Sequence, residues 1–147
     1  MRPMRRDDLD QVMVIENELF GDEAWSEAMF ASELDETATR YYLVEETDDA
    51  VSAYAGLCAY APHEAYVQTI AVMPIAQRRG IGTALLKLLI DETTRRGVDH
   101  LDLEVRADND AARRLYERHG FREIALRRNY YQPSGTDAIV MRKDLAP

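Results

Sequence analysis

The sequence predicts a mixed α/β layer fold in the order ααβββαβαββ. Three observations carry that order. Apolar residues switch between helical spacing and strict alternation along the chain, and glycine or proline stands at most of the switches. Hydrophobic residues make up 46% of the 147, enough for one packed core. No repeat, low-complexity tract or Pro/Gly/Ser-rich linker divides residues 1–147, so a single domain is expected.

Asp7 or Asp8 is placed to cap a first helix, whose apolar stripe is Leu9, Val12, Met13, Leu19 and Phe20 and which Gly21 ends. Ser26 reads as the cap of a short second helix carrying Met29, Phe30 and Leu34. Residues 41–45 read as a strand and Asp48-Asp49 as a turn. Residues 51–61 form a second strand ended by Pro62, and 66–73 a third ended by Pro74. The strongest helix begins near Gly80, with Ile81, Leu85, Leu88 and Leu89 on one face. Arg95 and Arg96 suit the dipole of its last turn, and Gly97 stops it. Residues 101–105 alternate, placing Leu101, Leu103 and Val105 on one face and Asp102, Glu104 and Arg106 on the other. Asp108 or Asn109 caps a short helix through Ala112, Leu115 and Tyr116, stopped by Gly120. Two strands, about 121–131 and 138–143, then flank a turn at Pro133-Ser-Gly-Thr.

Charge narrows the function classes. The net charge is −9, which argues against a non-specific nucleic-acid binder. Residues 1–74 hold 4 basic and 16 acidic side chains, whereas 75–132 hold 12 basic and 9 acidic ones. That division fits two ligands of opposite sign, or ordinary surface solvation. No apolar run approaches the roughly 18 residues of a membrane span, and the start, Met1-Arg-Pro-Met-Arg-Arg-Asp-Asp, does not read as a secretory signal. The single cysteine, Cys58, sits in an apolar run that predicts a buried thiol. His63-Glu64 begins like a zinc-protease helix, but Val67 stands where the second histidine is needed. A soluble, cytoplasmic chain without a structural metal is expected.

Gln77-Arg-Arg-Gly-Ile-Gly-Thr83 carries the most chemistry. It follows a strand and opens the best helix, so its glycines let backbone approach a ligand and its unpaired N–H groups form an anion site. Leu85 replaces the third glycine of the dinucleotide fingerprint, and the Gly-Lys-Ser/Thr of the Walker loop is missing. With these residues the sequence resembles the GNAT superfamily of acetyl-coenzyme A-dependent N-acetyltransferases. Their signature, Gln/Arg-x-x-Gly-x-Gly/Ala after a strand, is met by Gln77, Gly80 and Gly82. Leu103-Glu-Val-Arg-Ala-Asp-Asn109, Leu115-Tyr-Glu-Arg-His-Gly-Phe121, Arg127-Arg-Asn-Tyr-Tyr131 and Ala24-Trp-Ser26 further resemble the bacterial ribosomal-protein alanine N-acetyltransferases, in which a proline often replaces Ala24.

The resemblance covers the whole chain. It implies the GNAT acyltransferase fold, an α/β (α+β) architecture with a mixed, mostly antiparallel sheet of six to seven strands flanked by about four helices. It implies acetyl-coenzyme A as co-substrate, no metal, and the N-terminal peptide of a small-subunit ribosomal protein as acceptor, without nucleic-acid or membrane partners. For the coenzyme it implies backbone contacts from Ile70, Ala71 and Val72 to the acetyl and pantetheine arm. Arg78, Arg79, Gly80, Ile81, Gly82 and Thr83 would hold the pyrophosphate, where two cations fit an anion better than they fit a merely solvated loop. Asn109 matches an asparagine beside the pantetheine arm and equally fits a simple helix cap.

Transfer to an amine needs a base, donors for an oxyanion and an acid for the leaving thiolate. Glu104, opposite the leucine face, matches the family's base; by pattern alone it fits an exposed carboxylate paired with Arg106. Tyr116 matches the family's acid, since a phenol of pKa about 10 stays protonated at neutral pH. Its place in the helix stripe also fits core packing, and one ring serves both roles when its hydroxyl faces the sulfur. Tyr130 or Tyr131 is expected in the acceptor groove, where Trp25 either joins it or belongs to the core edge. The cation–aromatic mixture of 127–131 could also meet single-stranded nucleic acid, a reading the net charge disfavours. Acetylation of lysines or small amines is the alternative acceptor chemistry, and a non-catalytic coenzyme-binding scaffold is the alternative without turnover. No cysteine lies in these motifs, so direct transfer is expected over an acetyl-cysteine route.

Overall fold

The structure is a computed structural model and describes residues 1–77 and 79–145. Its centre is a seven-stranded sheet in the spatial order β1-β2-β3-β4-β5-β7-β6. The strands are β1 (Arg2–Pro3), β2 (Arg40–Thr47), β3 (Ala50–Tyr60), β4 (Glu64–Val72), β5 (His100–Arg106), β6 (Arg122–Tyr131) and β7 (Thr136–Asp144). All neighbours are antiparallel except β4 and β5. The helices are α1 (Leu9–Phe20), α2 (Glu27–Asp35), α3 (Ile81–Arg95) and α4 (Asp110–Arg118).

Side-chain alternation along the strands divides the core in two. Tyr42, Val44 and Tyr54 point to one face and pack with Leu9, Val12 and Ile15 of α1 and Phe30 of α2. Leu43, Ala53, Ala55 and Leu57 point to the other and pack with Leu85, Leu86 and Leu89 of α3. β3 is buried on both faces from Val51 to Ala59, which explains its continuous apolar run. Leu101, Leu103 and Val105 join the α3 side as the alternation predicts.

The local signals act as expected at most ends. Ser26 Oγ accepts from the Met29 N–H at 3.2 Å, and Asn109 Oδ1 from the Ala112 N–H at 3.1 Å. Asp48 and Asp49 both take positive φ (54° and 65°) in the two-residue β2–β3 turn, the backbone such a hairpin requires. Cys58 is buried in β3.

Two expectations need correction. Neither Asp7 nor Asp8 caps α1 with its side chain. A short helical turn, Arg6–Asp8, precedes the helix, and the buried Asp8 carboxylate instead accepts from the Arg5 N–H (2.7 Å) and from the Arg2 guanidinium (2.7 and 2.8 Å). The same Arg2 reaches Glu46 of β2 at 2.6 Å, and β1, too short at two residues to show any period in the sequence, pairs with β2 at Arg2↔Val44 and Pro3↔Leu43.

Gly56 of β3 has a packing reason for lacking a side chain: a Cβ there would stand 2.2 Å from the Tyr42 ring. Gly56→Ala is therefore expected to lower stability by about 1–3 kcal/mol, the usual cost of overpacking, and urea unfolding measures it.

Candidate active site

The site lies where β4 and β5 part. Their parallel ladder has one registered pair, Tyr66↔Asp102. Just beyond it β4 bulges, since Gly56 opposes Thr69 and Leu57 opposes Val67, leaving Gln68 as the extra residue. The strands diverge toward their C-terminal ends, so their facing edges present backbone N–H and C=O groups to a cavity of about 210 Å³ rather than to each other. Val67, Gln68, Thr69 and Ile70 form one wall, and Leu103, Glu104, Val105 and Arg106 the other. Asn109, Ala112 and Tyr116 close one side; Glu16, Phe20, Glu23 and Trp25 close the opposite side with Tyr131.

Glu104 stands opposite the buried leucine face, as the alternation requires, and its partner is not Arg106. Its carboxylate lies 3.5 Å from Arg127 Nε. The neighbouring carboxylate, with partial burial, pushes the Tyr130 phenol up to about 12. Arg106 turns instead to Glu23, to Asp108 (3.1 Å) and to Thr136 Oγ1 (3.0 Å), and its guanidinium lies 5.3 Å from the centre of the Tyr131 ring. Tyr116 is half-buried, packs edge-on to Phe121 with ring centroids 5.8 Å apart, and lines the cavity. Burial pushes its phenol up to about 12, so it keeps its proton. Core packing and access to the cavity are thus combined in one ring.

A second bulge shapes the far wall. β6 and β7 pair at Arg127↔Ala138 and next at Tyr131↔Thr136, so residues 128–130 oppose Asp137 alone. Asn129 takes φ 53°, and its N–H donates to Asp137 Oδ1 at 2.9 Å. This re-aims Tyr130 and Tyr131, whose rings meet edge-on at 5.2 Å; Tyr131 lines the cavity, while Tyr130 stays largely exposed.

Trp25 is held from below. Its backbone N–H donates to Glu16 Oε2 at 2.8 Å, and its ring lies 5.1 Å from Phe30. Glu16 Oε1 accepts from the buried Tyr54 hydroxyl at 2.5 Å; burial raises this carboxyl above its ordinary range, against the pull of both hydrogen bonds.

The glycine loop occupies the α3 N-terminus. Gly80 takes φ 76°, no side chain among the described residues caps the first turn, and Gln77 Nε2 donates to the Val72 carbonyl at 3.0 Å, tying the loop to the end of β4. A Cβ at Gly82 would make only ordinary contact with Val72, at 3.7 Å. Arg79, Gly80, Ile81, Gly82 and Thr83 gather here, outside the cavity wall. Ala71 and Val72 pack toward opposite faces and only Ile70 of the three lines the cavity. Arg78 lies outside the described residues. The Asn109 side chain is engaged as a helix cap at the cavity edge.

Sequence reasoning missed Glu16, Glu23 and Arg106 at this site. Glu16 carried a signal, a carboxylate within the buried face of α1; Glu23 and Arg106 are 83 positions apart and carried none.

Comparison with known proteins gives the class. The Acetyltransferase (GNAT) family profile matches residues 9–121, and the chain belongs to that family. It is an acyltransferase fold in sequence as well as in shape. Over 145 residues it is 41% identical to the N-alpha-acetyltransferase RimI of Mycobacterium tuberculosis, covering 96% of this chain and 89% of that one. Over 119 residues it is 46% identical to the [Ribosomal protein bS18]-alanine N-acetyltransferase of Escherichia coli, covering 80% and 78%. The crystal structure of the ribosomal-protein-S18-alanine N-acetyltransferase from Escherichia coli superposes with a TM-score of 0.85 at 39% identity, over 99% of this chain and 92% of that one.

Trp25 is the single tryptophan, so its emission reports on the α1–α2 loop alone. Glu16→Ala removes the acceptor of both the Trp25 N–H and the Tyr54 hydroxyl. The expected outcome is a red-shifted Trp25 emission and a loss of about 1–3 kcal/mol in urea unfolding.

Proposed function

We propose that this protein transfers the acetyl group of acetyl-coenzyme A to the N-terminal α-amine of a small-subunit ribosomal protein that begins with alanine. Residues 1–147 act as one acetyltransferase domain, in the cytoplasm. The α-amine acceptor is supported by the 41% identity to an enzyme named an N-alpha-acetyltransferase, and the alanine of a ribosomal protein by the 46% identity to one named for that acceptor. The observation that carries the chemistry is that Glu104 and Tyr116 line one cavity between diverging strands.

The co-substrate suits the residues present. The parted edges of β4 and β5 offer backbone donors and acceptors to an amide-bearing arm such as pantetheine. The uncapped first turn of α3 after Gly80 offers N–H groups to a pyrophosphate, with Ile81, Gly82 and Thr83 in that turn and Arg79, and by sequence Arg78, supplying positive charge. Ile70, Ala71 and Val72 bring backbone to the acyl end, and Asn109 keeps its capping role at the cavity edge. The thioester supplies an acyl carbon activated by a good leaving group.

Glu104, directly or through one water, takes the proton that the acceptor ammonium must lose. The neutral amine attacks the thioester carbonyl, a C–N bond forms, and β4 N–H groups face the developing oxyanion. The C–S bond breaks, Tyr116 gives its proton to the departing thiolate, and the second proton that the nitrogen loses on becoming an amide returns through water to the Tyr116 phenolate. Trp25 and Tyr131 line the acceptor side, with the exposed Tyr130 ring against Tyr131 at its rim. Direct transfer is favoured because Cys58, the single cysteine, is buried in β3, away from the cavity lining.

Three measurements test this. Mass spectrometry of Ala-, Ser-, Met- and Lys-presenting peptides is expected to find acetyl on the α-amine of the alanine peptide; modification confined to lysine side chains overturns the acceptor assignment. Glu104→Gln is expected to lower kcat/KM by roughly 10²–10⁴-fold, and Tyr116→Phe to lower kcat, with the fold retained by circular dichroism. The pH profile follows from the two groups. An α-amine of pKa about 7.7–8.0 makes kcat/KM rise through that range. Tyr116, held near 12, keeps its proton well above it, so no falling limb is expected below about pH 10.

A further inference from the structure

Gln68, the extra residue of the β4 bulge, lines the cavity with a side chain that the chemistry above does not use. Its Nε2 donates to Glu33 Oε1 of α2 at 3.2 Å. The same carboxylate takes Arg40 Nε at 2.9 Å on both oxygens and the Tyr42 hydroxyl at 2.7 Å, so it is well served without Gln68. A carboxylate paired with a guanidinium only accepts hydrogen bonds, and this fixes which way the amide is turned. Nε2 faces Glu33, and Oε1 points away from it, with no donor on that oxygen among the described residues.

Two placements put that oxygen beside the acceptor rather than the coenzyme. Contact with α2 sets Gln68 on the sheet face that α1 and α2 cover, the face of Trp25, whereas Tyr116 and α3 pack on the other. Glu104 shares the Gln68 face, since its neighbours Leu103 and Val105 pack toward α3. Counted from the registered pair Tyr66↔Asp102, Gln68 and Glu104 each lie two residues further along their strands. They therefore stand on opposite walls of the cavity, on one face, where the strands have begun to part.

We infer that Gln68 is an acceptor-binding residue, whose Oε1 receives one N–H of the α-amine while Glu104 takes the proton that the ammonium loses. This rests on the α-amine reading above. An ammonium drawn out of water has three N–H groups to place, and an unserved one is costly. An amide oxygen accepts from the amine before and after deprotonation, and it is too weak a base to compete with Glu104 for the proton. The N–H it holds is the one that the product amide keeps, so the nitrogen stays fixed throughout its attack on the thioester. Glu33, which touches only the amide of Gln68, is a positioning residue.

The test measures binding of two peptides to the protein saturated with coenzyme A. One begins with alanine; in its desamino counterpart a propionyl group replaces alanyl, so that only the α-amine is missing. Gln68→Met keeps the length of the side chain and discards its carbonyl. It is expected to weaken the alanine peptide roughly tenfold, the usual effect of losing a hydrogen bond to a charged group, and to leave the desamino peptide unchanged. kcat/KM for the alanine peptide falls by a similar factor, whereas KM for acetyl-coenzyme A and the urea unfolding midpoint stay at wild-type values. Gln68→Ala, which has no longer side chain to fit, is expected to give the same split between the two peptides. Equal weakening of both peptides in folded protein overturns the inference, as does a raised KM for acetyl-coenzyme A or an undiminished affinity for the alanine peptide. Acetyl found on the α-amine with both variants like wild type removes this inference alone; acetyl confined to lysine side chains removes the α-amine reading and this inference with it.

Discussion

Two parallel strands that pair once and then separate leave a gap in the middle of a sheet, where backbone polar groups would ordinarily satisfy one another. In this protein the gap between β4 and β5 survives because each strand is secured on its other edge. β4 pairs with β3 from Ala53↔Val72 to Tyr60↔Glu64, and β5 pairs with β7 along its whole length. The helices cover both faces, so opening the sheet exposes edges without unpacking the core. Open backbone groups are costly when buried and useful when a ligand can meet them. The cavity, the two bulges around it and the loop at α3 all take their places from that separation.

The bulges are the means by which the walls are aimed. Gln68 lets β4 bend past Gly56, where the Tyr42 ring lies against bare backbone. Residues 128–130 bulge against Asp137 and turn Tyr131 into the cavity beside Arg106. Each bulge interrupts the ladder locally, and the long antiparallel pairings on either side fix the strands despite it.

Electrostatics in the site is organised by sharing. The two arginines nearest the catalytic candidates serve several partners at once, Arg106 between two carboxylates and a hydroxyl, Arg127 between Glu104 and the face of Tyr130. Glu16 is different, a buried carboxylate kept by two donors and raised by its surroundings, whose work is to hold Trp25 in place. Charge that looked in the sequence like one acidic stretch before one basic stretch is interleaved in three dimensions: Arg106 of β5 meets Glu23, while Arg6 and Arg40 pair with Asp35 and Glu33 of α2.

The local elements were legible in the sequence because their causes are local. Helix α3 follows from its apolar spacing between Gly80 and Gly97, β5 from its alternation, the hairpin from Asp48-Asp49, and the short helices from Ser26 and Asn109. That alternation also placed Glu104 opposite the core, and the stripe of α4 placed Tyr116 at once in the packing and beside the cavity. Tertiary structure alone decided β1, whose Arg2 is held by Asp8 and Glu46, and the parting of β4 from β5. It also decided that Arg106 reaches Glu23 across 83 positions, together with nearby Asp108, rather than its near neighbour Glu104. Periodicity and capping act over a few residues and so are written along the chain, whereas pairings between distant side chains and the registers of strands exist only once the sheet has brought them together.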